Sequence, residues 1–323
     1  MNTPRIRSAA VAVIAVIMLT FTGCATTTPA PEAESIQPIR IGAWNIEWLG
    51  QPNRRSGPAK GVGQSPEDLA DYIAASGVSV VALQEIKANA PANPPDGSQA
   101  NTTLNETFSL LNSEGGGDWR HVVFTAPGNQ NVGVAWDANA VTLLSDRAGY
   151  IIPIERITSA QGKTVWHRPP RAMFFSAGDG LTDFVIIPIH MKSNYGGDFS
   201  VHRAAEAGVL ATALPQVMSK FADYDVMVIG DTNSPNHDDE SIRIFEEAGL
   251  IDLNDADAST YWRGSALDRI LVSADQPEFA EPMFEVFFDV YAQTKGIDLT
   301  DFKVRWSDHQ MVVFTLRVMD DDD

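Results

Sequence analysis

Residues able to bind a hard metal ion or to move protons recur in this sequence at the ends of apolar, strand-like runs. Carboxylate and amide oxygens suit a cation such as Mg²⁺, and a histidine backed by a carboxylate has its tautomer fixed and its protonated form stabilised. Singly, each such residue is more often a turn residue or a helix cap. Together they converge on one chemistry, a metal ion surrounded by proton-transferring groups. The set comprises Asn45, Glu47, Glu85, His190, Asp231, Asn233, Asp268, Asp308 and His309.

The composition limits the classes of protein to consider. Among 323 residues, 42 are Asp or Glu and 23 are Lys or Arg, giving a formal net charge of −19. Hydrophobic residues make up 44%, which is typical of a globular chain and excludes collagen-like, coiled-coil and largely disordered proteins. A single cysteine excludes a disulfide scaffold and a cysteine-ligated zinc site. The acidity argues against a broad basic face for nucleic acid, but it permits contact with a phosphodiester through a metal ion.

The first 23 residues have the pattern of a secretory signal peptide. Arg5 and Arg7 precede an uncharged apolar run, 9–21, that is shorter than the roughly 20 residues of a membrane-spanning helix. The segment FTGC at 21–24 resembles a bacterial lipoprotein box, so we predict lipidation of Cys24 and attachment to a membrane. A plain signal peptide with an incidental cysteine is the alternative. Ala25 resembles an outer-membrane sorting signal, which predicts a lipid-anchored protein of the bacterial cell envelope, on its periplasmic or surface face.

The rest of the chain is predicted to hold one folded domain, 39–319, between a tether and a tail. Residues 24–38 comprise the lipidated cysteine and a flexible stretch rich in Thr, Pro and Ala, and 320–323 form an acidic tail that we expect to be solvated. Removing Arg5 and Arg7 with the signal peptide takes the net charge from −19 to −21.

Within the domain, apolar and β-branched runs alternate with amphipathic helical segments, without an internal repeat. Strands outnumber helices and come in hairpin-like pairs, which favours two packed sheets with helices outside over a single parallel sheet. Pro215 should kink or split the longest helix. Strands are predicted at 39–44, 78–83, 119–125, 132–136, 140–144, 171–176, 184–189, 225–229, 267–272 and 310–317, helices at 65–77, 103–112, 200–220 and 239–247, and loose loops at 50–64 and 87–102.

Six short segments, in this order along the chain, resemble the endonuclease/exonuclease/phosphatase superfamily. The resemblance covers about residues 39–318, and six segments in the family's order, each in a strand context, form a specific pattern. It implies an α/β fold, a four-layered αββα sandwich of two packed, mostly antiparallel sheets flanked by helices, with the active site at one sheet edge. The segments are Trp44-Asn45-Ile46-Glu47, Leu83-Gln84-Glu85, Ile189-His190, Gly230-Asp231-Thr232-Asn233, Leu267-Asp268-Arg269-Ile270 and Ser307-Asp308-His309.

By position, the resemblance implies a metal site with Glu85 as its main ligand. Asn45 matches a residue that orients the metal or the phosphate, and Asp308 matches one that contacts the metal or its water. Glu47 falls where some members have a second acidic ligand. The implied cofactor is Mg²⁺ or Mn²⁺, and Ca²⁺ is also compatible with oxygen ligands.

The resemblance also implies roles in proton transfer and phosphate binding. His309 would deprotonate water or stabilise the phosphate, with Asp268 as its carboxylate partner, and Asp231 would align the attacking water. Asn233 would bind a phosphate oxygen. His190 would contact the phosphate or help the leaving group.

Two further positions flank this set. Arg168, in an Arg-Pro segment, would contact phosphate or brace the site. The deoxyribonuclease branch pairs its second histidine with a glutamate, and the register here puts Gln130 or Asn131 in that place. A neutral amide would orient His190 without holding it protonated.

These features predict a secreted, membrane-anchored, metal-dependent phosphoesterase, and a nuclease in the first place. His190 and the segment 267–270 are most similar to the deoxyribonuclease branch. A phosphomonoesterase or a sphingomyelinase-like lipid phosphodiesterase is the alternative, since a membrane-tethered protein could act on lipid. A non-catalytic binding lipoprotein is disfavoured, because the set of polar residues is intact.

The expected partner is nucleic acid or another phosphoester, bound by a monomer. Arg54, Arg55 and Lys60 could form a local basic patch, although a solvated loop is an equal interpretation. Four aromatic residues could stack on bases or meet lipid, namely Trp48, Tyr195, Phe199 and Trp262.

Overall fold

Two sheets packed face to face carry the polar strand ends. The structure, a computed structural model, describes residues 37–89, 100–124, 126, 128–154, 165–280 and 283–322. The predicted signal peptide, Cys24 and most of the tether lie outside these residues, as does most of the predicted loop 87–102. In the described part of the chain, no helix combines the length and the apolar character needed to cross a bilayer.

The strands and helices are as follows. The strands are β1 Ile39–Leu49, β2 Val80–Ile86, β3 Trp119–Val123, β4 Asn131–Asp137, β5 Thr142–Leu143, β6 Tyr150–Ile151, β7 Arg171–Ser176, β8 Asp183–His190, β9 Val226–Asp231, β10 Leu250–Asp252, β11 Asp268–Ser273, β12 Met283–Phe287 and β13 Met311–Leu316. The α-helices are α1 Pro66–Ser76, α2 Thr102–Gly115, α3 Ser200–Phe221, α4 Glu240–Glu247, α5 Asp289–Lys295 and α6 Leu299–Arg305.

The strands form two mixed sheets. The first has the order β12-β13-β1-β2-β4-β3, and the second has the order β10-β11-β9-β8-β7-β5, with β6 also paired to β7. Among these described pairs, β1–β2 and β8–β9 are parallel and the others are antiparallel. The prediction of mostly antiparallel sheets is confirmed.

Three clusters of apolar side chains hold the helices and sheets together. In β1, Ile41 and Ala43 face the other sheet while Trp44 and Ile46 face the helices, as the two-residue period of a strand requires. A middle cluster packs sheet against sheet, and an outer cluster packs the first sheet on α1, α2 and α6. A third packs the second sheet on α3 and α4. The order helix, sheet, sheet, helix confirms the predicted four-layered fold.

Local signals fixed the ends of α1. The Ser65 hydroxyl accepts a hydrogen bond from the Asp68 backbone N–H at 3.2 Å, Pro66 occupies the first turn, and Gly77 ends the helix at a φ of 68°. These are the N-cap, proline and C-terminal glycine positions that helices favour. The prediction for this helix is confirmed.

Other elements differ from their predictions. The helix α3 continues through Pro215 without interruption. Its residues Ala207, Leu210 and Leu214 bury one face on the second sheet, while Pro215 faces solvent. The prediction of a split is therefore wrong. The strand predicted at 140–144 is only β5.

The C-terminal region also differs from expectation. The elements β12, α5 and α6 lie between 283 and 305, where no element was predicted. The tail is not simply solvated, since Asp320 forms an isolated β-bridge with Leu181 and the Asp321 N–H donates to the Gly180 carbonyl at 3.2 Å. Asp323 lies outside the described residues.

Candidate active site

Strand pairing, parallel for β1–β2 and β8–β9 and antiparallel for β9–β11, brings the polar strand ends to one edge of the sandwich. In the second sheet, Asp231 pairs across the strands with His190 on one side and with Asp268 on the other. In the first sheet, Asn45 pairs with Gln84, which precedes Glu85. These ends surround a cavity of about 460 Å³ lined by Glu47, Glu85, Asp231, Asn233, Asp308 and His309, among others.

Unusual backbone conformations concentrate at this cavity. Of the seven non-glycine residues with positive φ in the described chain, Glu47, Trp48, Glu85 and Asn233 lie here, with φ between 42° and 62°. The registers of β1–β2 and β2–β4 both shift beside Glu85, as at a β-bulge. Such conformations cost of order 1–3 kcal/mol each and persist where the surrounding fold enforces them. The bulge lets Glu85 reach the cavity from the end of β2.

His309 is held by a carboxylate from the other sheet. Its Nδ1 lies 2.8 Å from Asp268 Oδ2, and the same oxygen accepts a hydrogen bond from the Thr260 hydroxyl at 2.7 Å. Burial opposes protonation of His309, but the charge and hydrogen bond of Asp268, together with the charges of Asp231 and Asp308, hold the pKa of His309 well above its usual value. The surroundings of His309 therefore favour its protonated form.

Asp231 occupies the centre of the site. The Asn45 side chain donates to its Oδ2 at 2.9 Å, and the Asn233 backbone N–H donates to its Oδ1 at 2.8 Å. Burial raises the pKa of Asp231 to about 7 against the lowering effect of the His309 charge. A carboxylate with such a pKa can exchange a proton near neutral pH. The Asn233 side chain lines the cavity and donates its amide N–H to the Met191 carbonyl at 3.1 Å.

His190 is buried, and its surroundings favour the neutral imidazole. Its Nε2 lies 3.5 Å from Asp231 Oδ2 and 3.8 Å from Glu85 Oε1. Burial, assisted by the nearby Arg168 charge, lowers the pKa of His190 well below its usual value. The predicted partners do not orient it, because Gln130 binds Arg168 and the Asn131 amide donates to the Ile86 carbonyl. Among the described residues, His190 Nδ1 has no hydrogen-bond partner.

Arg168 braces the site rather than facing the cavity. Its guanidinium donates to the Gln130 backbone carbonyl at 3.1 Å, to the Gln130 side chain at 2.9 Å and to the His190 carbonyl at 2.9 Å. With Nε, Nη1 and Nη2 all engaged, Arg168 ties the end of β8 to the residue before β4. Of the two roles predicted for it, the geometry favours bracing.

The donors around Glu85 fit a divalent cation. Glu85 Oε2 accepts a hydrogen bond from the Trp48 N–H at 3.1 Å, and ligand atoms of Glu85, His190 and Asp231 all lie within 4.8 Å of one another. Burial and the neighbouring Asp308 charge raise the pKa of Glu85. Close, poorly hydrated carboxylates disfavour one another's charge, and a cation with oxygen ligands relieves that repulsion.

Glu47 reaches the cavity wall, but its oxygens are engaged elsewhere. Oε2 accepts from the Arg55 Nε at 3.0 Å, and Oε1 accepts from the Ser56 N–H at 2.9 Å and from the Lys303 ammonium. Burial and then the Asp308 charge raise the pKa of Glu47 despite these cations. This geometry does not support Glu47 as a second metal ligand.

Arg55 also departs from its expected place. It is buried, and besides Glu47 its guanidinium binds the backbone carbonyls of Val62, Lys303, Val304 and Trp306. It therefore ties the 50–64 loop, which holds two short 3₁₀ helices, to the end of α6. The prediction that Arg55 joins Arg54 and Lys60 in an exposed patch is wrong.

The cavity rim carries cations beside aromatic rings. The Arg54 guanidinium lies 5.8 Å from the Trp48 ring centroid, and that of Arg263 lies 4.9 Å from the Trp262 ring centroid. Tyr195 lines the cavity with 92% of its surface exposed. Of the four aromatic residues that could stack on bases or meet lipid, Tyr195 is fully exposed, whereas Trp48, Phe199 and Trp262 are half-buried.

The geometry agrees with a comparison of the sequence with known families. The model of the Endonuclease/Exonuclease/phosphatase family matches residues 42–309, which is most of the chain and includes every strand end described above. The chain belongs to this family. As a member it is a metal-dependent hydrolase of phosphoester bonds, and the Glu85 group supplies ligands suited to the divalent cation that the family requires.

Solved structures share this fold at low sequence identity. The catalytic domain of human Nocturnin, solved with a bound sulfate anion, is 19% identical, with a TM-score of 0.55 over 87% of this chain and 95% of that one. An endonuclease/exonuclease/phosphatase from Bacteroides vulgatus is 12% identical, with a TM-score of 0.57 over 88% and 100%. Truncated Caenorhabditis elegans TDP2 is 12% identical, with a TM-score of 0.52 over 86% and 97%. Among curated proteins, none matches the chain.

Sequence reasoning missed two residues of the site. Thr260 is a loop residue and Lys303 is part of α6, and neither belongs to a recognisable motif. Both act through contacts with residues that the motifs did contain. Thr260 contacts Asp268, and Lys303 contacts Glu47 and Asp308. No local signal identifies them, because each contact depends on the tertiary fold.

Proposed function

We propose that this protein is a secreted, membrane-anchored nuclease that hydrolyses phosphodiester bonds with a divalent cation, Mg²⁺ or Mn²⁺. The observation that carries the proposal is the meeting of the Asp268–His309 pair, Asp231 and Glu85 around one cavity. It places a cationic group, a proton acceptor with a pKa of about 7 and a metal-binding carboxylate within one site.

Glu85, with Asn45 and Asp308, would hold the cation. When bound, the cation offsets the negative charge of the phosphodiester, which otherwise repels a nucleophile. Asn45 fits this role because its Nδ2 is committed to Asp231, while its Oδ1 accepts a single N–H from Glu47 at 2.9 Å. Asp308 directs one carboxylate oxygen to Lys303 at 3.2 Å and lines the cavity.

The chain's own groups divide the remaining work. Asp231, aligned by Asn45 and by the Asn233 N–H, accepts the proton of the attacking water. His309, protonated and fixed by Asp268, stabilises the charge that develops on the phosphate. His190, whose burial favours the neutral imidazole, donates or accepts one hydrogen bond at the leaving-group side. Of the two roles that the resemblance gave to His309, this assignment adopts phosphate stabilisation.

The rim favours nucleic acid as the substrate. Arg54 and Arg263 supply cations for phosphates, and Trp48 and Tyr195, which line the cavity, offer ring surface on which bases stack. Stacking of this kind is worth roughly 1–3 kcal/mol per base. The cations are few and local, which reconciles nucleic-acid binding with the strongly acidic chain.

The test uses the chain from Ala25 onward with Mg²⁺ or Mn²⁺ and an EDTA control. Plasmid DNA, single-stranded DNA, RNA, p-nitrophenyl phosphate and sphingomyelin are assayed in parallel. Nucleic acid should be cut, and Glu85→Gln and His309→Ala should each lower the rate by about 10²–10⁴. The exposed positions Glu246→Gln and His237→Ala serve as matched controls and should retain the rate. Cleavage of the monoester or the lipid alone would replace the nuclease with a phosphomonoesterase or a lipid phosphodiesterase.

We also propose that Cys24 is lipidated and that the domain is monomeric and held at an envelope membrane. The sequence pattern at 21–24 supports lipidation, and residues 25–38 would link the lipidated cysteine to the domain. Cys24→Ser should move the protein from the membrane fraction to the soluble fraction of cells that express the full chain. A variant that stays in the membrane fraction would contradict the anchor.

A further inference from the structure

A group of buried charges lies at one wall of the cavity. It contains Glu47, Arg55, Lys303 and Asp308, whose side chains are exposed by 3%, 0%, 0% and 10%. The Lys303 ammonium contacts Glu47 Oε1 and lies 3.2 Å from Asp308 Oδ2, so it bridges the two carboxylates. Arg55 Nε binds the other Glu47 oxygen at 3.0 Å. Two carboxylates therefore meet two cations.

The surroundings prevent Lys303 from leaving this position. The Trp262 ring centroid lies 5.8 Å from Lys303 Nζ, and the Lys303 backbone carbonyl accepts a hydrogen bond from Arg55. A buried ammonium is tolerated only when it is paired, because its transfer out of water costs several kcal/mol. Lys303 is thus a permanent part of the site.

The charge balance differs between the two sides of the cavity. On the Lys303 side, Glu47 and Asp308 each contact at least one cation of the chain. On the other side, Glu85 and Asp231 lie within 4 Å of His190 but of no Lys or Arg side chain in the described part of the chain, and the nearby His309 is paired with Asp268. Only on this second side, among the described residues, do the carboxylates lack a Lys or Arg partner that could take the place of an external cation.

We propose that Lys303 takes the place of a second divalent cation between Glu47 and Asp308, so that the protein binds one divalent ion, at Glu85. In addition, Lys303 is a positioning residue, because its hold on Asp308 Oδ2 leaves Oδ1 directed toward His309 Nε2, 3.9 Å away. The inference rests on the metal site of the proposed function, and it is independent of which phosphoester is cleaved.

The first measurement is the number of Mn²⁺ ions bound per chain, by calorimetric titration and by metal analysis after dialysis. The wild-type protein should bind one ion, and Glu85→Gln should bind none. Two ions per wild-type chain, or an ion that survives in Glu85→Gln, would overturn the inference.

A variant without the internal cation provides the second measurement. Lys303→Met keeps the length of the side chain but removes its charge, so it should bind two Mn²⁺ ions, and its melting temperature should rise with Mn²⁺ more steeply than that of the wild type. Lys60→Met, at an exposed position of the neighbouring loop, should bind one ion like the wild type. A folded Lys303→Met that binds only one ion would contradict the proposal that Lys303 takes the place of a second metal ion. If Lys303→Met folds neither with nor without Mn²⁺, the wild-type count decides.

Metal counting needs no substrate, which separates this inference from the nuclease proposal. One ion at Glu85 in a protein that cuts no nucleic acid would refute the nuclease alone. Two ions in an active nuclease would refute the role of Lys303 alone.

Discussion

Asp268 uses one oxygen for two tasks. Its Oδ2 accepts from the Thr260 hydroxyl and lies 2.8 Å from His309 Nδ1, while Thr260 Oγ1 in turn accepts from the Asp268 N–H at 3.0 Å. The threonine therefore fixes the rotamer of the carboxylate, and the carboxylate fixes the imidazole. Because the hydroxyl is already committed as a donor to Oδ2, the geometry of the pair is set before substrate binds.

Removing the Asp268 charge should shift the pH dependence of catalysis. Asp268 holds the pKa of His309 above its usual value, so Asp268→Asn should let that pKa fall and the imidazolium should be lost at a lower pH. We expect the rate near pH 7.5 to fall by about 10²–10⁴, and the alkaline limit of the pH–rate profile to move to lower pH. Thr260→Ser should keep the wild-type profile. An unchanged alkaline limit in Asp268→Asn would show that His309 does not act as the cation.

The sequence located most of the site but not all of it. Strand ends could be predicted because apolar runs followed by polar residues are a local pattern, and β1, β2, β8, β9 and β11 lie where they were expected within a few residues. The pairing of Glu47 with Arg55 could not be predicted. Arg55 resembles any loop arginine in the sequence, and its backbone partners at the end of α6 are some 250 residues away.

At the scale of elements, the packing of α2 on β3 depends on a neutral histidine. His121 stacks on Phe108 with ring centroids 4.9 Å apart, and its Nε2 lies 2.9 Å from the Asn105 side-chain oxygen. Burial, and then the Arg147 charge, lower the pKa of His121 to about 4. The unfolded chain therefore binds a proton at this residue more readily than the folded protein does.

The stabilisation from this contact should decrease as the pH is lowered. Because the folded pKa is below the unfolded value of about 6.5, the stabilisation is complete above pH 6.5 and is lost as the pH falls toward 4. The difference in unfolding free energy between wild type and His121→Gln should change by roughly 2–3 kcal/mol over this range, measured by urea unfolding at several pH values. His237→Gln should show the opposite slope, since Asp257 raises the pKa of His237. A difference that does not vary with pH would refute the neutral state of His121.

Elements without a strong local pattern were those missed. The helices α5 and α6 have seven residues each, and β12 is a half-exposed edge strand. Short helices are marginal by themselves, and packing on the sheet decides their formation. In α6 that packing comes from Phe302, whose ring stacks on Trp306 with centroids 5.4 Å apart.

At the scale of the whole molecule, a net charge of −19 opposes any approach of nucleic acid. The rim arginines Arg54 and Arg263 must offset this repulsion locally, and each phosphate contact releases counterions. Affinity should consequently depend on salt through a small number of contacts rather than through a broad basic face.

Loss of both rim arginines should weaken binding without changing the chemistry. For Arg54→Ala with Arg263→Ala, we expect the slope of log K against log salt concentration for single-stranded DNA to fall by about 0.7 per arginine, measured by fluorescence anisotropy in EDTA. The rate of this double variant with bis-p-nitrophenyl phosphate should remain within about twofold of the wild-type rate. As a control, Arg243→Ala, at an exposed position of α4, should keep both the wild-type salt slope and the wild-type rate. An unchanged salt slope would exclude the rim as the phosphate contact.

The place of β13 in the first sheet has a consequence for the order of folding. It lies between β1 and β12, and Ile39 pairs with Leu316, so the first and last strands of the fold are neighbours at the heart of one sheet. Contacts so distant in sequence close large loops and slow folding. During synthesis, β1 lacks this neighbour until almost the whole chain has emerged, and His309 arrives with the same segment. We therefore expect catalytic competence to be the last property that the nascent chain acquires, which would leave a partly made protein inert toward phosphoesters inside the cell that makes it.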